Sequence, residues 1–444
     1  MGKRTKRRLS LLMAAVMCLA LLVGITAYAP TEVKAKGLTT GRCGASVNYS
    51  FDSKTGTLTI SGKGSMMDFD ANSRKSPFSG HEEILSVKIE DGVTSVGQWA
   101  FYDCFGLKSA ELGKDVETVS EWAFYGCVGL ADLTMQPDSV TGIGNGAFMH
   151  CLAMNEINVP DSLAYIGSQA FDDTGYYQNK SNWEDGKVLY IGNCLYTAFY
   201  NHIYTDPRHK STTKPYGGGS GGGFIMSDER TLNGSYTIRT GTKFLAVGAF
   251  RSTGITDVTI PKSMTEISSN AFAGSRLESI TIPSGMKKIE GGTFSGCHWL
   301  KSVKIPKSVT EIGDNAFFDC RELESITIPS GVAFIGDKAF SKTALRSISL
   351  PKTVKSVGNE AFYNCASLKK VTLKSGLRGI GEEAFGRTGI KSITVPKSVT
   401  IIGRHALGYN IDDKVKGFTI KGYKGSAAQS YAKENKFKFV TIKK

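Results

Sequence analysis

The side chains that could do chemistry in this sequence are six histidines, nine cysteines, a periodic set of lysines and a cluster of aromatics. The histidines (His81, His150, His202, His209, His298 and His405) are scattered, and none sits in a metal motif or beside a nucleophile. His202, Asp206 and His209 come nearest to a metal cluster, and polar loop residues explain them better. Six cysteines, Cys104, Cys127, Cys151, Cys297, Cys320 and Cys365, each follow a phenylalanine by three residues. Thr174, Thr253, Ser275, Thr343 and Thr388 hold the same place after other phenylalanines. A position shared by Cys, Thr and Ser asks for a small, mildly polar group in a core. Paired C-x-x-C spacing for a metal is missing, and a disulfide between neighbouring units is sterically possible but is not what the interchange favours. The expectation is a protein without enzymatic activity, cofactor or metal.

The elements that must position these residues form a repeat. The skeleton L-x-x-I-x-I-P-x-x-V-x-x-I-G-x-x-A-F, clearest in residues 323–340, recurs from about residue 84 to residue 407. Its Ala-Phe pair ends at Phe101, Phe124, Phe148, Phe171, Phe250, Phe272, Phe317, Phe340, Phe362 and Phe385, with variants at Phe294 and Leu407. Apart from one gap of 79 residues the spacing is 22 to 24. That period marks a solenoid, whose units bury their apolar faces only against one another. In residues 300–305 the alternation has period two and predicts a strand with Val303 and Ile305 inward and Ser302 and Lys304 outward. Pro306 ends it, Val309 and Ile312 line the return, Gly313 allows a corner, and Ala316-Phe317 enters the core on a short helical or 3₁₀ turn. The fold class expected is an α/β repeat solenoid of about twelve coils in a right-handed superhelix.

The lysines follow the repeat. After successive strands the second block reads Pro261-Lys262, Pro283-Ser284, Pro306-Lys307, Pro329-Ser330, Pro351-Lys352, Lys374-Ser375 and Pro396-Lys397. Lys262, Lys307, Lys352 and Lys397 are each 45 residues apart, which puts a cation on every second coil at a pitch of roughly 10 Å. Duplication of a two-coil unit with a solvated edge gives such a row, and so does a site for a sulfated or phosphate-bearing polymer. Lys304 and Lys370 add charge to an outward strand face that is otherwise rich in Ser and Thr. Such a face is flat and suits a polymer or a protein better than a small molecule.

Charge is uneven along the chain. Residues 36–249 hold 17 basic and 23 acidic residues, net −6, and residues 250–444 hold 31 and 16, net +15. The basic half favours an anionic partner: a host matrix protein, mucin or wall glycopolymer. Nucleic acid is not expected, because no recognition motif is present.

The domain organisation reads as follows. Residues 1–35 form a signal peptide: Lys3, Arg4, Lys6, Arg7 and Arg8 precede the apolar run of residues 9–25, with cleavage after Ala29 or, better, Ala35. The mature protein is then expected outside the cytoplasm, secreted or surface-associated, without a membrane span. Residues 36–82 form an N-terminal β cap, with a hairpin of residues 47–51 and 57–60. Residues 83–171 are the first repeat block. Residues 172–240 form an island, with a hairpin turning at Gly192-Asn193, a glycine-rich run at 217–223 and the aromatics Tyr176, Tyr177, Trp183, Tyr200, Tyr204 and Tyr216. Tyr and Trp of this kind serve either an interface or the island's own core. Residues 241–410 are the second block. Residues 411–444 are a C-terminal cap with a helix over 427–434, begun at Ser426 and ended at Asn435, and a last strand over 437–442. No wall-sorting module is expected after it.

The segment I-G-x-x-A-F-x-x-C-x-x-L-x-x-I-x-I-P, residues 312–329, resembles the BspA-type leucine-rich repeat of bacterial surface and secreted proteins. So do the opening Gly41-Arg42-Cys43-Gly44, the hairpin of residues 188–196 and the terminal residues 425–440. The resemblance implies a right-handed leucine-rich-repeat superhelix and, from its characterised members, adhesion to host extracellular-matrix proteins or to other bacteria. It does not name a ligand. The run at 217–223 departs from the usual island. Adhesion and a self-associating structural role in the cell envelope are the two functions that the sequence leaves in view.

Overall fold

A computed structural model describes residues 38–70, 75–198, 232–410 and 413–443. The described residues from Gly41 onward belong to one compact unit. The signal peptide, His202, His209, Asp206, Tyr200, Tyr204, Tyr216 and the run at 217–223 lie outside the described residues.

The unit of residues 41–444 is a β-solenoid of about 14 turns with little helix. The alternating apolar residues of each coil make one strand, and neighbouring coils pair in parallel. In the first block Thr57–Gly62, Ser86–Ile89, Ser109–Leu112 and Asp132–Met135 stack in this way. In the second, Ser279–Thr281 pairs with Ser302–Lys304, and Ser347–Ser349 with Lys370–Thr372. The residues before the conserved-type corner glycine make a second, two-residue strand per coil. These form a six-stranded sheet from Lys288–Ile289 through Glu311–Ile312, Phe334–Ile335, Ser356–Val357 and Gly379–Ile380 to Ile401–Ile402.

The third side of each coil carries the Ala-Phe pair, and here the expected short helix does not form. The chain makes consecutive turns, with left-handed residues two before and two after the phenylalanine. Trp99 and Asp103 around Phe101 have φ 55° and 56°, and Asn315 and Asp319 around Phe317 have φ 55° and 60°. Each non-glycine residue there costs about 1–2 kcal/mol. The conformation turns alternate N–H groups along the solenoid axis, which offsets the strain. Trp99, Phe101 and Asp103 donate to Glu121, Ala123 and Tyr125 of the next coil at 3.2, 2.7 and 2.8 Å.

The phenylalanines form two stacked ladders down the core. Phe78, Phe101, Phe124, Phe148 and Phe171 have successive centroids 4.9 to 5.4 Å apart. Phe250 to Phe385 continue at 5.2 to 5.6 Å. Each ring is fully buried, which contributes about 1.5–3 kcal/mol apiece. Phe78 extends the ladder one coil upstream of the first Ala-Phe pair. The antiparallel hairpin of Val47–Asp52 and Thr57–Gly62 forms as expected, but its second strand already belongs to a coil.

The island joins the blocks by the expected hairpin, Val188–Ile191 against Cys194–Ala198, turning at Gly192 with φ 54°. Cys194–Ala198 then pairs in parallel with Phe244–Leu245, so the solenoid continues across the island. At the far end the helix Ala427–Glu434 covers the last coil with Ala428, Tyr431 and Ala432 buried, and Lys438–Thr441 adds the final parallel strand. Ser426 precedes the helix as expected, although its hydroxyl donates back to the Tyr423 carbonyl at 2.6 Å. The cap on the Gly425 N–H is Gln429 Oε1, at 2.7 Å.

Candidate functional site: a basic corner on the second block

The cysteines are structural. The thiols of Cys104, Cys127, Cys297 and Cys320 donate to the phenylalanine carbonyl of the preceding coil, at 3.0 to 3.2 Å. Thr253, Thr343 and Thr388 occupy the same place and donate instead to the phenylalanine carbonyl of their own coil, at 2.8 to 2.9 Å. The longer Cβ–S bond reaches the carbonyl of the coil before, where the hydroxyl reaches the carbonyl of its own coil, and Thr343 also meets the Cys365 sulfur of the next coil at 3.2 Å. All eight described cysteines are free and buried.

Three histidines face carboxylates at the surface: His81 lies 2.7 Å from Glu83, His150 3.2 Å from Asp173 and His298 3.0 Å from Asp319. Among the described residues no group of His, Cys, Asp or Glu is arranged to hold a metal. A cleft of about 510 Å³ is lined by Asp314, Asp337, Asn359 and Glu382. These side chains serve the solenoid, because Asp314 accepts the Asp337 N–H at 2.7 Å, Asp337 the Asn359 N–H at 2.6 Å and Asn359 the Glu382 N–H at 2.8 Å.

The described island aromatics, Tyr176, Tyr177 and Trp183, are half-buried and packed on their own segment. Tyr176 donates to the Tyr190 carbonyl at 3.1 Å, and Trp183 donates to the Tyr177 carbonyl at 2.7 Å. The Tyr177 and Trp183 rings meet edge to face at 5.2 Å. A second half-buried aromatic cluster lies in the first block, where the tetrad Trp-Ala-Phe-Tyr occurs at 99–102 and again at 122–125. Trp99 stacks on Trp122 at 5.6 Å and Tyr102 on Tyr125 at 5.2 Å. Its sequence signal, four identical residues 23 apart, is hidden because the tetrad contains the core Ala-Phe pair.

The structure places the four lysines of the row at the surface. Lys262, Lys307, Lys352 and Lys397 are all exposed, on the corner that leads from the longer strand to the two-residue strand. With successive phenylalanine rings 5.2 to 5.6 Å apart, lysines on alternate coils stand roughly 10 Å apart. Some other second-block cations are neutralised: Lys301 by Glu278 at 2.9 Å, Lys288 by Glu311 at 3.1 Å, Lys338 by Glu360 at 3.3 Å and Arg404 by Glu382. The four lysines make no ion pair among the described residues.

Two of the glycines in the two-coil alternation have a packing cause. Where one coil reads Lys-Ser or Lys-Thr, the next reads Ser-Gly, and a Cβ on Gly331 or Gly376 would overlap the carbonyl of Lys307 or Lys352 directly. The backbone of one coil therefore requires the glycine of the next at these two positions, whereas Gly285, in the same place, has the Met264 carbonyl oxygen as its nearest neighbour at 3.5 Å. Lys304 and Lys370 do not join the row. Both are exposed on the longer-strand face, but Lys370 shares its register with Ser347 and Lys304 with Thr281, at opposite ends of their strands. The sequence reading missed Lys287, Lys355 and Arg378, which are exposed at the start of the short strands on the same corner. Their signal is the residue two before the inward Ile or Val of each short strand.

A stack of coils, each packed only against its neighbours, is the architecture of a solenoid repeat protein. The pattern of the BspA type leucine rich repeat region matches residues 73–202, 232–343 and 293–412, in six copies, and the chain belongs to that family. Among solved structures it is similar to a leucine-rich repeat protein from Bacteroides ovatus, at 21% identity over 90% of this chain and 98% of that one, with a TM-score of 0.34. It is also similar to a leucine rich cell surface protein from Faecalibacterium prausnitzii, at 21% identity over 85% and 87%, with a TM-score of 0.32. A third is the pneumococcal vaccine antigen PcpA, at 14% identity over 92% and 100%, with a TM-score of 0.38. No curated protein matches the chain. No helix among the described residues is long and apolar enough to cross a membrane.

Proposed function

We propose that this chain is an extracellular, non-enzymatic binding protein that adheres to an anionic partner through the basic corner of its second block. The partner is a mucin, a matrix protein or a wall glycopolymer. The observation that carries this reading is the row of four exposed lysines at a regular pitch, none of which makes an ion pair among the described residues. Holding like charges in register costs stability unless a counter-charge is supplied. The basic, then apolar, amino terminus supports export.

The test is binding of residues 36–444 to mucins, matrix proteins and wall polymers at low and high salt. Salt-sensitive binding that is lost on changing Lys262, Lys307, Lys352 and Lys397 to Glu supports the reading. No binding by a monomer overturns it. The opposite net charges of residues 36–249 and 250–444 favour a second reading, self-association in the cell envelope, and salt-sensitive oligomers in light scattering would favour that one.

A further inference from the structure

The basic corner turns onto the six-stranded sheet of short strands, and that sheet is not uniformly polar. Its outward positions run Phe334, Ser356, Gly379, Ile401 on four successive coils in one register. Phe334 is 50% exposed and Ile401 68% exposed, the latter the most exposed large apolar side chain among the described residues. Ser356 and Gly379 leave a notch between them, about 14 Å from one apolar wall to the other at three strand spacings. Nothing in the fold asks for glycine at 379. Its φ is not left-handed, and a Cβ there would meet only the Ser356 Cβ, at 4.0 Å. Lys355 and Arg378 stand immediately before Ser356 and Gly379, exposed on adjacent coils, with the Arg378 N–H donating to the Lys355 carbonyl at 2.8 Å. Neither takes part in an ion pair among the described residues.

We propose that this notch is a sugar-ring subsite of the basic corner, and that the ligand is an anionic polysaccharide. The inference rests on the corner being the binding surface and names the ligand class. A pyranose has an apolar C–H face that packs on aromatic and branched aliphatic side chains, and polar edges that carry sulfate or carboxylate. The notch offers both: Phe334 and Ile401 for the ring, Lys355 and Arg378 for the acidic groups. Lys352 and Lys397 continue the positive charge along the solenoid at a pitch near the length of a disaccharide unit in an extended chain. A phosphate polymer has no apolar face and would leave Phe334 and Ile401 unused. An anionic lipid surface has both features, so the experiment includes one.

The chain from residue 36 to 444 is titrated with dextran sulfate, with long-chain polyphosphate and with vesicles of equimolar phosphatidylglycerol and phosphatidylcholine. The variants are Gly379→Val, which fills the notch on an open strand surface, Phe334→Ser with Ile401→Ser, and Lys262, Lys307, Lys352 and Lys397 to Gln. Unchanged circular dichroism and melting confirm that each is folded. The expected result is that the notch variants weaken dextran sulfate binding about tenfold or more while polyphosphate changes about twofold or less. The lysine variant weakens both. If the notch variants bind dextran sulfate as well as the parent while the lysine variant does not, this inference fails and the basic corner stands. If neither polymer binds the parent, this inference fails whether or not the basic corner binds a matrix protein. Vesicle binding that is lost in the notch variants, with dextran sulfate unchanged, replaces the polysaccharide with a lipid surface.

Discussion

The hydroxyl of Tyr431, on the terminal helix, accepts the Leu407 N–H at 3.1 Å and donates to the Leu407 carbonyl at 3.0 Å. Elsewhere in the solenoid the residue at this point of the coil donates to the alanine carbonyl of the next coil, as Phe340 does to Ala361 at 2.8 Å. After Leu407 there is no further Ala-Phe coil, and one phenolic oxygen takes the place of the missing backbone. Tyr196 does the same where the first ladder ends, accepting the Phe171 N–H at 2.9 Å.

Tyr431→Phe is therefore expected to leave two buried backbone groups of Leu407 unpaired, at a cost of about 2–4 kcal/mol to the last coil. Repeat proteins open from their ends, so the readout is local. Amide exchange should rise at Leu407 and in the strand Ile401–Ile402, with Phe340 and its neighbours unchanged. Equal exchange at Leu407 in parent and variant would show that water already satisfies those groups.

Gly376 and Gly379 lie three residues apart and should respond in opposite ways to the same change. An alanine at Gly376 would overlap the Lys352 carbonyl of the coil before, a backbone atom that cannot turn aside, and should cost about 2 kcal/mol or more. At Gly379 it meets open space, and Gly379→Ala should leave the melting temperature the same or slightly raised, because alanine narrows the unfolded ensemble. Equal effects at the two positions would remove the packing explanation of the glycine at 376.

How much of this was legible in the sequence follows from which interactions have a period. The Phe ladder, the paired strands and the lysine row recur with every coil or every second coil, and so could be read from spacing alone. The hairpin at Gly192 and the helix Ala427–Glu434 were legible from local turn and cap signals. The coil at Phe78 was not, because Ser76-Pro77 replaces the small residues that normally precede the phenylalanine; Ser76 is nonetheless buried and donates to the Ala100 carbonyl. The left-handed residues on either side of each phenylalanine carry no consistent residue type, since Trp99, Gln169, Lys338 and Glu360 all hold the same position. The neighbouring coil imposes that conformation through hydrogen bonds, so no single coil announces it. The walls of the notch, Phe334 and Ile401, are 67 residues apart in the chain and become near neighbours only once the register is fixed.

Asp172 gives the solenoid a pH dependence of its own. Burial pushes its carboxyl up to about 6, and the Tyr196 hydroxyl, donating at 2.7 Å, limits the rise. With its ordinary value of 3.8 in the unfolded chain, the carboxyl is protonated in both states below about pH 4 and costs folding nothing. Between pH 4 and 6 the unfolded chain loses this proton first, so stability falls as the pH rises and the loss is complete above about 6. Asp172→Asn keeps an acceptor for Tyr196 and removes the charge. It should stabilise the protein by about 1–3 kcal/mol at pH 7 and leave it unchanged at pH 4, as read by urea midpoints at the two pH values. A gain of the same size at both would assign the effect to packing instead.

The thiols supply a test of the ladder in the folded state. Each of the six repeat cysteines is fully buried. Burial pushes the Cys297 thiol up to about 12, and those of Cys127 and Cys320 well above their ordinary range. A thiol attacks only as the thiolate and only where reagent can reach it. At pH 8 the folded chain from residue 36 should react with maleimide at none of its eight cysteines within hours, and in denaturant it should react at all eight without prior reduction. Because the thiols donate to carbonyls of the coil before, labelling at intermediate urea should report how far the solenoid has opened. It should begin at the coils nearest the ends, with Cys320 in the middle of the second ladder among the last. Labelling in denaturant that appears only after a reductant would mean that neighbouring coils are cross-linked. The sulfur-to-carbonyl rail would then be a reduced form of that bridge.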